Sequence, residues 1–483
     1  MIRLGKLLAA TAAAALLAGV STPAFAQDST DALLLRLKEK GILTDDEYNE
    51  LVQRRQAEAT TASTTVGAAA APQEAAAAAL DDKRMVRMTE SGIGFEMGGV
   101  TLKFSGSVNG FYTHDNGETP SATSTVVGGL ASVGAENSSA IRNGLLPGFF
   151  KVDVTTNQGG WDVGAHFGMY PGINSVSNVG GANSAGTPQA LATSGIDFRQ
   201  TYLTFGKPNI GEFKIGRDIG LFGSEAILND ITLLSVGSTG GNVAPSNTSL
   251  GRIGIGYIYT DFQPQISYSS PKFGGLQVSA GMFQPLQTIG QSEVNGTPGF
   301  QGKVTYDMAP AEAGGLGARV WAGGIVQKHD GVGGSPEYTG RGFDVGGKLS
   351  FGPASLLGYY YNGTGLGTTG LFILSTDANG TARGSDGFYV QGTVGFGKLT
   401  IGGSYGQSTL DLTDDEEADA ASAPFGIYNP LLLSKNSSYV GQLRYGLTGW
   451  VTLVGEYVHT MSEAHGGNKA NSDTIAAGAI LFF

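Results

Sequence analysis

The 483-residue chain has no cysteine and carries 29 Lys+Arg against 41 Asp+Glu, a formal net charge of −12. That balance disfavours nucleic acid as a partner, and the missing cysteines exclude disulfides and thiolate metal sites. Only 14% of residues are charged, against about a quarter in a soluble domain, yet no apolar run reaches the ~20 residues of a spanning helix.

Arg3 and Lys6 open the chain, Leu7 to Val20 is apolar and uncharged, and Ala24-Phe25-Ala26 is a small-x-small cleavage site. Residues 1–26 therefore read as a secretory leader. Residues 27–57 are helical in pattern: Leu33, Leu34 and Leu37 form one apolar patch, and Gly41 interrupts. Thr44 with Glu47 makes a capping box ahead of Tyr48, Leu51 and Val52. Helices this short bury no core alone and suit a hairpin or an inter-chain coiled coil. Residues 58–97 are Ala/Thr-rich and then charged, a linker.

From Gly98 to Phe483 glycine is frequent, helix formers are scarce, and faces alternate. Leu102, Phe104 and Val108 oppose Lys103, Ser105 and Ser107. The scheme recurs with Val152 and Val154 against Lys151 and Asp153, and with Phe343 and Val345 against Asp344 and Lys348. It recurs again with Leu443 and Tyr445 against Gln442 and Arg444, and with Leu453 and Tyr457 against Thr452 and Glu456. Such strands offer one face to lipid and one to water. Short joints at 157–160, 207–211, 272–275, 352–354, 395–398 and 447–450 separate long polar stretches. These run near 115–145, 171–195, 219–251, 285–297, 329–340, 364–384, 409–436 and 462–472. Eight long loops imply an all-β, transmembrane antiparallel β-barrel of about 16 strands over residues 98–483, wide enough for an aqueous lumen. Inward charges expected from alternation are Lys103, Lys151, Asp153, Lys303, Lys348, Arg444 and Glu456. The last strand, Ser472 to Phe483, ends on an aromatic with Ile475, Ala477, Ala479 and Leu481 on the same face. A barrel must close that strand onto its first, because lipid leaves no partner for an open edge.

The run Phe198-Arg-Gln-Thr-Tyr-Leu-Thr-Phe-Gly206 followed by Gly211-Glu-Phe-Lys-Ile-Gly-Arg-Asp218 closely resembles the fourth and fifth strands of the Gram-negative trimeric porins. Pro271-Lys-Phe-Gly-Gly-Leu276 and the terminal Phe483 resemble them too. The helical prefix and Gly216-Arg-Asp-Ile-Gly-Leu-Phe-Gly-Ser-Glu-Ala-Ile-Leu228 are similar to the porin subgroup associated with dicarboxylic-acid uptake. The resemblance implies an outer-membrane homotrimer in lipid, passing ions and small hydrophilic solutes without a cofactor, after removal of the leader. It also implies that the third loop folds inward, with its acids Glu225 and Asp230 facing wall arginines. Arg217 matches one such arginine by its Gly-Arg-Asp motif, and Arg252, in Leu-Gly-Arg-Ile-Gly, matches a second. The usual Pro-Glu-Phe-Gly-Gly of that loop is replaced by Ile231-Thr-Leu-Leu-Ser-Val-Gly237, a more apolar tip. Strict alternation puts Arg217 with Phe213 and Ile215, opposite Glu212 and Lys214. A lumen position for Arg217 then requires a bulge at Gly216; the alternatives are a place beyond the membrane belt, or a salt bridge that pins the loop base.

Two other function classes bear on the sequence. The five histidines, His114, His166, His329, His459 and His465, show no triad or metal spacing, so an enzyme is not expected. A plugged structural or adhesion barrel, binding through its long loops, is the alternative to a channel.

Overall fold

The computed structural model describes residues 86–134, 137–174, 196–239, 248–310, 312, 314–422 and 426–483. The leader, the helical prefix and most of the linker lie outside the described residues. Sixteen antiparallel strands form the barrel. The first eight are β1 Val100–Asn116, β2 Phe149–Gln158, β3 Trp161–Pro171, β4 Ile196–Lys207, β5 Gly211–Ile219, β6 Phe262–Ser269, β7 Leu276–Phe283 and β8 Gly299–Met308. The rest are β9 Leu316–His329, β10 Tyr338–Phe351, β11 Ala354–Thr364, β12 Gly384–Phe396, β13 Leu399–Leu410, β14 Leu433–Gly446, β15 Val451–Ala464 and β16 Lys469–Phe482. Each pairs with its sequence neighbour, and β16 pairs with β1 from Asp473↔Asn116 to Phe482↔Ser107. No edge is left open across the membrane, as lipid demands.

Closure depends on the last residue. The Phe483 N–H donates to the Gly106 carbonyl, and the Gly106 N–H donates back to Phe483, both at 3.0 Å. The Phe483 ring then lies over Gly106, where a Cβ would meet it at 2.3 Å, and its centroid is 6.0 Å from that of Trp450. Below this point the edge of β1 is taken by a short strand, Ile93–Met97, paired from Ile93↔Phe104 to Met97↔Val100. Pairing thus begins before Gly98, within the stretch read as linker.

Turns lie at one end of the barrel, and the other eight connections, seven of them longer loops, lie at the opposite end. One short turn, 309–315, was not recognised in the sequence, and the eighth loop contracts to 465–468 because β15 and β16 pair out to Glu463↔Lys469. Outward faces carry Phe343, Leu349, Ile401, Leu443, Leu453 and Ile475, all exposed as a lipid belt requires. Exposed Phe351, Phe396 and Trp450 sit by the short turns, where an aromatic girdle belongs.

Deleting Phe483 removes two backbone bonds and a packed ring, about 3 kcal/mol by analogy with large-to-small changes. Gly106→Val forces a side chain into that ring, an overpacking cost of about 1–3 kcal/mol. Both changes are expected to lower the yield of heat-modifiable folded barrel in outer-membrane fractions. Wild-type yield from the deletion would count against closure through the terminal residue.

Candidate functional site: the third loop and the inner wall

The third loop runs from Gly220 to Asp261, ten residues beyond the expected end, and the Gly220 N–H to Asp261 carbonyl bond (3.0 Å) closes its base. It contains the helix α1, Ser224–Asn229, and a 3-10 turn, Ile231–Leu234. Its path is set by an apolar seat inside the barrel. Trp321 and Ile325 of β9, Leu357, Tyr359 and Tyr361 of β11, and Tyr389 of β12 all face inward. They pack on Phe222, Ala226, Ile227, Ile253, Tyr257 and Ile258 of the loop. Each fully buried side chain of this size contributes about 1.5–3 kcal/mol, so leaving the seat wet would be costly.

Polar contacts then fix the loop along the wall. Gln301 of β8 accepts from the Leu221 (2.8 Å) and Phe222 (3.0 Å) amides. Tyr389 donates to the Ala226 carbonyl at 2.8 Å, and Gln391 bridges Asn229 (2.7 Å) and Ile231 (2.9 Å). Gln442 of β14 donates to the Ile231 carbonyl at 3.0 Å. Glu456 of β15 accepts from the Ser235 hydroxyl and from the amides of Val236 (3.2 Å) and Gly237 (2.6 Å).

Glu225 lies at the centre of a charged network. Its carboxylate meets Lys303 of β8 at 3.0 Å and Arg319 of β9 at 2.8 Å. Arg319 also pairs with Asp307, which Lys272 reaches at 3.0 Å. Lys303 was anticipated as a wall residue; Arg319 and Asp307 were not, although alternation along Leu316–His329 sets Arg319 with inward Trp321. Asp230 does not face a wall arginine directly. It caps the 3-10 turn through the Thr232 amide (2.9 Å) and accepts from the Thr232 (2.6 Å) and Tyr257 (2.9 Å) hydroxyls.

The two arginines taken from the motif match need correction. Arg217 pairs with Thr201 and Pro264 with no register shift, so no bulge re-aims it. It stays on the outward face with Ile215, and is exposed. The inward charged residues of β5 are Glu212, Lys214 and Asp218, and the last two form a salt bridge. Arg252 belongs to the third loop rather than to a strand. It is fully buried, and its guanidinium reaches the Ser438 hydroxyl of β14 at 3.2 Å.

Opposite the apolar seat, β1–β5 present a wetter wall. Lys103 is exposed, and Lys151, Asp153, His166, Gln200, Tyr202 and Lys214 are partly exposed. His166 Nδ1 lies 2.6 Å from Asp153 and Nε2 lies 3.1 Å from the Thr204 hydroxyl. This carboxylate–imidazole–hydroxyl order resembles a hydrolytic triad, but Thr204 sits mid-strand, paired with Gly164 and Lys214, where flanking amides serve the ladder rather than an oxyanion. Arg444 and Lys348 lie on inward faces of β14 and β10. At the mouth, Glu293 joins the 284–298 loop to His329 at 3.0 Å. Burial alone would raise its carboxyl, but hydrogen bonds from Thr288, Asn295 and His329 hold it below the ordinary value.

Glu225→Ala leaves Lys303 and Arg319 without their shared partner, a loss of about 3 kcal/mol for a mostly buried network. Single-channel recording should show a noisier current and a higher conductance as α1 loosens; an unchanged trace would mean the network does not hold the loop. Arg217→Ala should leave the reversal potential of the open barrel as it was.

The chain matches the family model of Gram-negative porins over residues 59–465. Comparison with curated proteins finds no match. Among solved structures it resembles the outer membrane channel DcaP of Acinetobacter baumannii, at TM-score 0.57 and 17% identity, over 82% of this chain and 99% of that one. It also matches OprB of Pseudomonas putida at TM-score 0.47 and 13% identity, over 79% of this chain and 94% of that one. OmpF of Salmonella typhi, in complex with daunomycin, matches at 0.47 and 15%, over 80% and 98%. The DcaP likeness shows a shared fold. The family match covers most of the sequence, and with the closed barrel, its lipid belt and its inward third loop it establishes that this chain belongs to the Gram-negative porins, outer-membrane channels for passive diffusion.

Proposed function

We propose that this porin works as a homotrimer and favours small organic acids among the solutes it passes, without covalent chemistry. One observation carries the preference. Inward acids are largely engaged: Asp153 by His166, Asp218 by Lys214, Asp307 by Arg319 and Lys272, Glu225 by Lys303 and Arg319. Lys103, Lys151 and Arg444 also face inward, yet none lies within salt-bridge distance of a carboxylate among the described residues. Unpaired fixed cations along a narrow wet path attract anions; Lys103 is exposed and Lys151 partly exposed on that path, whereas Arg444 is buried in the wall.

Homotrimer rests on the sequence resemblance and on the outward face of β4 and β5, where Thr201 and Arg217 interrupt the apolar belt. Polar groups there suit a protein neighbour better than lipid. The same reading takes residues 1–26 as a leader removed on export, 27–57 as a coiled-coil prefix and 58–97 as its tether. The alternative, a plugged structural barrel, has in its favour the apolar packing inside the lumen.

A planar bilayer under a potassium chloride gradient separates these readings. Stepwise openings with a chloride-leaning reversal potential are expected, together with block by millimolar succinate. Absence of steps would favour the plug, and a potassium-leaning potential would remove the organic-acid preference. Lys103→Ala with Lys151→Ala should lower the chloride-to-potassium permeability ratio about threefold or more, since each charge near a confined ion is worth about one RT. Removing residues 28–79 should leave conductance intact; a barrel that assembles without conducting would place the prefix in the pore.

A further inference from the structure

We propose that His166 is a proton-dependent determinant of this channel's charge selectivity. The proposal rests on the channel reading above. Of the five histidines, His114 and His459 stand on the outward faces of β1 and β15, beside exposed Ile475 and Tyr457. His329 is fully buried between Tyr338 and Phe372 at the extracellular end. His465 lies in the 465–468 loop, with Nε2 at 2.9 Å from the Leu410 carbonyl. His166 alone faces the lumen from within the membrane-spanning wall. Histidine is the side chain whose charge ordinarily changes between about pH 5 and 8, while exposed carboxylates titrate below and lysines above that window.

The surroundings hold the ring in place and leave it reachable. Its side chain is 17% exposed and that of Asp153 is 37% exposed. The ring stacks on Tyr202 of β4 at 4.6 Å, and Lys214 Nζ of β5 lies over that same tyrosine at 4.8 Å. Gly164 leaves the room it needs, since a Cβ there would stand 2.5 Å from Nε2. The charged groups around it are Asp153 and Lys151 on β2, Lys103 on β1 opposite Asp153, and Lys214, Asp218 and Glu212 on β5.

Asp153 accepts only, so the neutral ring carries its proton on Nδ1 and offers Nε2 as acceptor to the Thr204 hydroxyl. A second proton can be taken on Nε2 with one small change: the Thr204 hydroxyl rotates and becomes the acceptor. The cation that forms is already hydrogen-bonded on both sides. Acidification therefore adds one positive charge to the wall beside Lys151 and Lys214 without moving the backbone. Asp344 and Glu456 are other inward acids, but each is nearly fully buried against the third loop rather than open to the path.

The test is the reversal potential of the full-length protein at pH 8 and at pH 5 under a fixed salt gradient. For the wild type, the anion-to-cation permeability ratio should rise about threefold on acidification, the effect of one unit charge near a passing ion. In His166→Gln that rise should vanish. His465→Gln should keep the wild-type response. A flat wild-type profile with normal conductance would overturn the proposal and leave the channel reading standing. A full rise in His166→Gln would also overturn it, and would assign the titration to a buried acid such as Asp344. Should His166→Gln fail to assemble, His166→Asn serves the same comparison. No conductance at any pH would instead defeat the channel reading itself.

Discussion

The constraint on which this structure depends is that lipid offers no hydrogen bond to an open strand edge. The last strand must find the first, and it does so to its final residue, where Phe483 and Gly106 exchange both backbone bonds. Once β16 and β1 are in register, every other strand is fixed by its neighbour, and a slip of one residue would turn a whole strand inside out. The glycine at position 106 is part of that closure because any side chain would occupy the place of the terminal ring. The continuing strand Ile93–Met97 then covers what the short C-terminus cannot reach.

Period-two alternation makes the inner wall a consequence of closure, and the inner wall in turn decides where the third loop goes. Many inward positions are polar, with apolar ones at Phe111 of β1, Val440 of β14, Val454 and Val458 of β15 and Ile480 of β16. On β9, β11 and β12 they are Trp321, Ile325, Leu357, Tyr359, Tyr361 and Tyr389. Such a surface cannot face water without cost, and Phe222, Ala226, Ile227, Ile253, Tyr257 and Ile258 of the loop cover it, while Ile231, Leu234 and Val236, from the stretch that replaces the usual family signature, pack on β1 and β14–β16. Glu225 adds direction to this packing: its two cationic partners belong to β8 and β9 and leave α1 one orientation. The loop therefore crowds one side of the lumen and leaves Lys103 of β1 and the inward residues of β2–β5 on the wetter side.

Much of this was legible from residue order. Alternation placed Asp344, Lys348, Gln442, Arg444, Thr452 and Glu456 on faces that the pairing registers reproduce. The barrel class and strand number followed from the loops. Where motif and alternation disagreed, at Arg217, alternation was right: Lys214 and Asp218 are the inward pair, and a Gly-Arg-Asp match carried a residue to the wrong face. Arg252 was misplaced for a different reason. The loop's end cannot be read from composition when its second half is as apolar as a strand, as Ile253 to Ile258 is. The partnership of Glu225 with Lys303 and Arg319, 78 and 94 residues away, has no local signal. Nor does the apolar seat, except in hindsight: Tyr359-Tyr360-Tyr361 is apolar on both faces, which a water-lined strand has no reason to be.

The chain's acidity and the sign of its path are separate quantities. A net charge of −12 would suggest a cation channel if charge were spread evenly. It is not. Asp414, Asp415, Glu416 and Glu417 form the first turn of an outer-loop helix, Asp414–Ala420, where they favour its N-terminus, and Glu416 also pairs with Arg383. Exposed Asp414, Asp415 and Glu417 lie in bulk electrolyte and are screened within about 10 Å at ordinary ionic strength. Inside the barrel the dielectric is lower and the walls are close, so a single unpaired lysine or arginine outweighs several loop carboxylates. On the proposed reading, what an ion meets is decided by which wall charges lack a salt-bridge partner, Lys103 and Lys151 among the described residues being two. With that proposed anion preference the porin is acidic to its surroundings and basic to its solutes, because most of its inward acids, Glu212 excepted, hold the third loop, Lys214 or His166 in place.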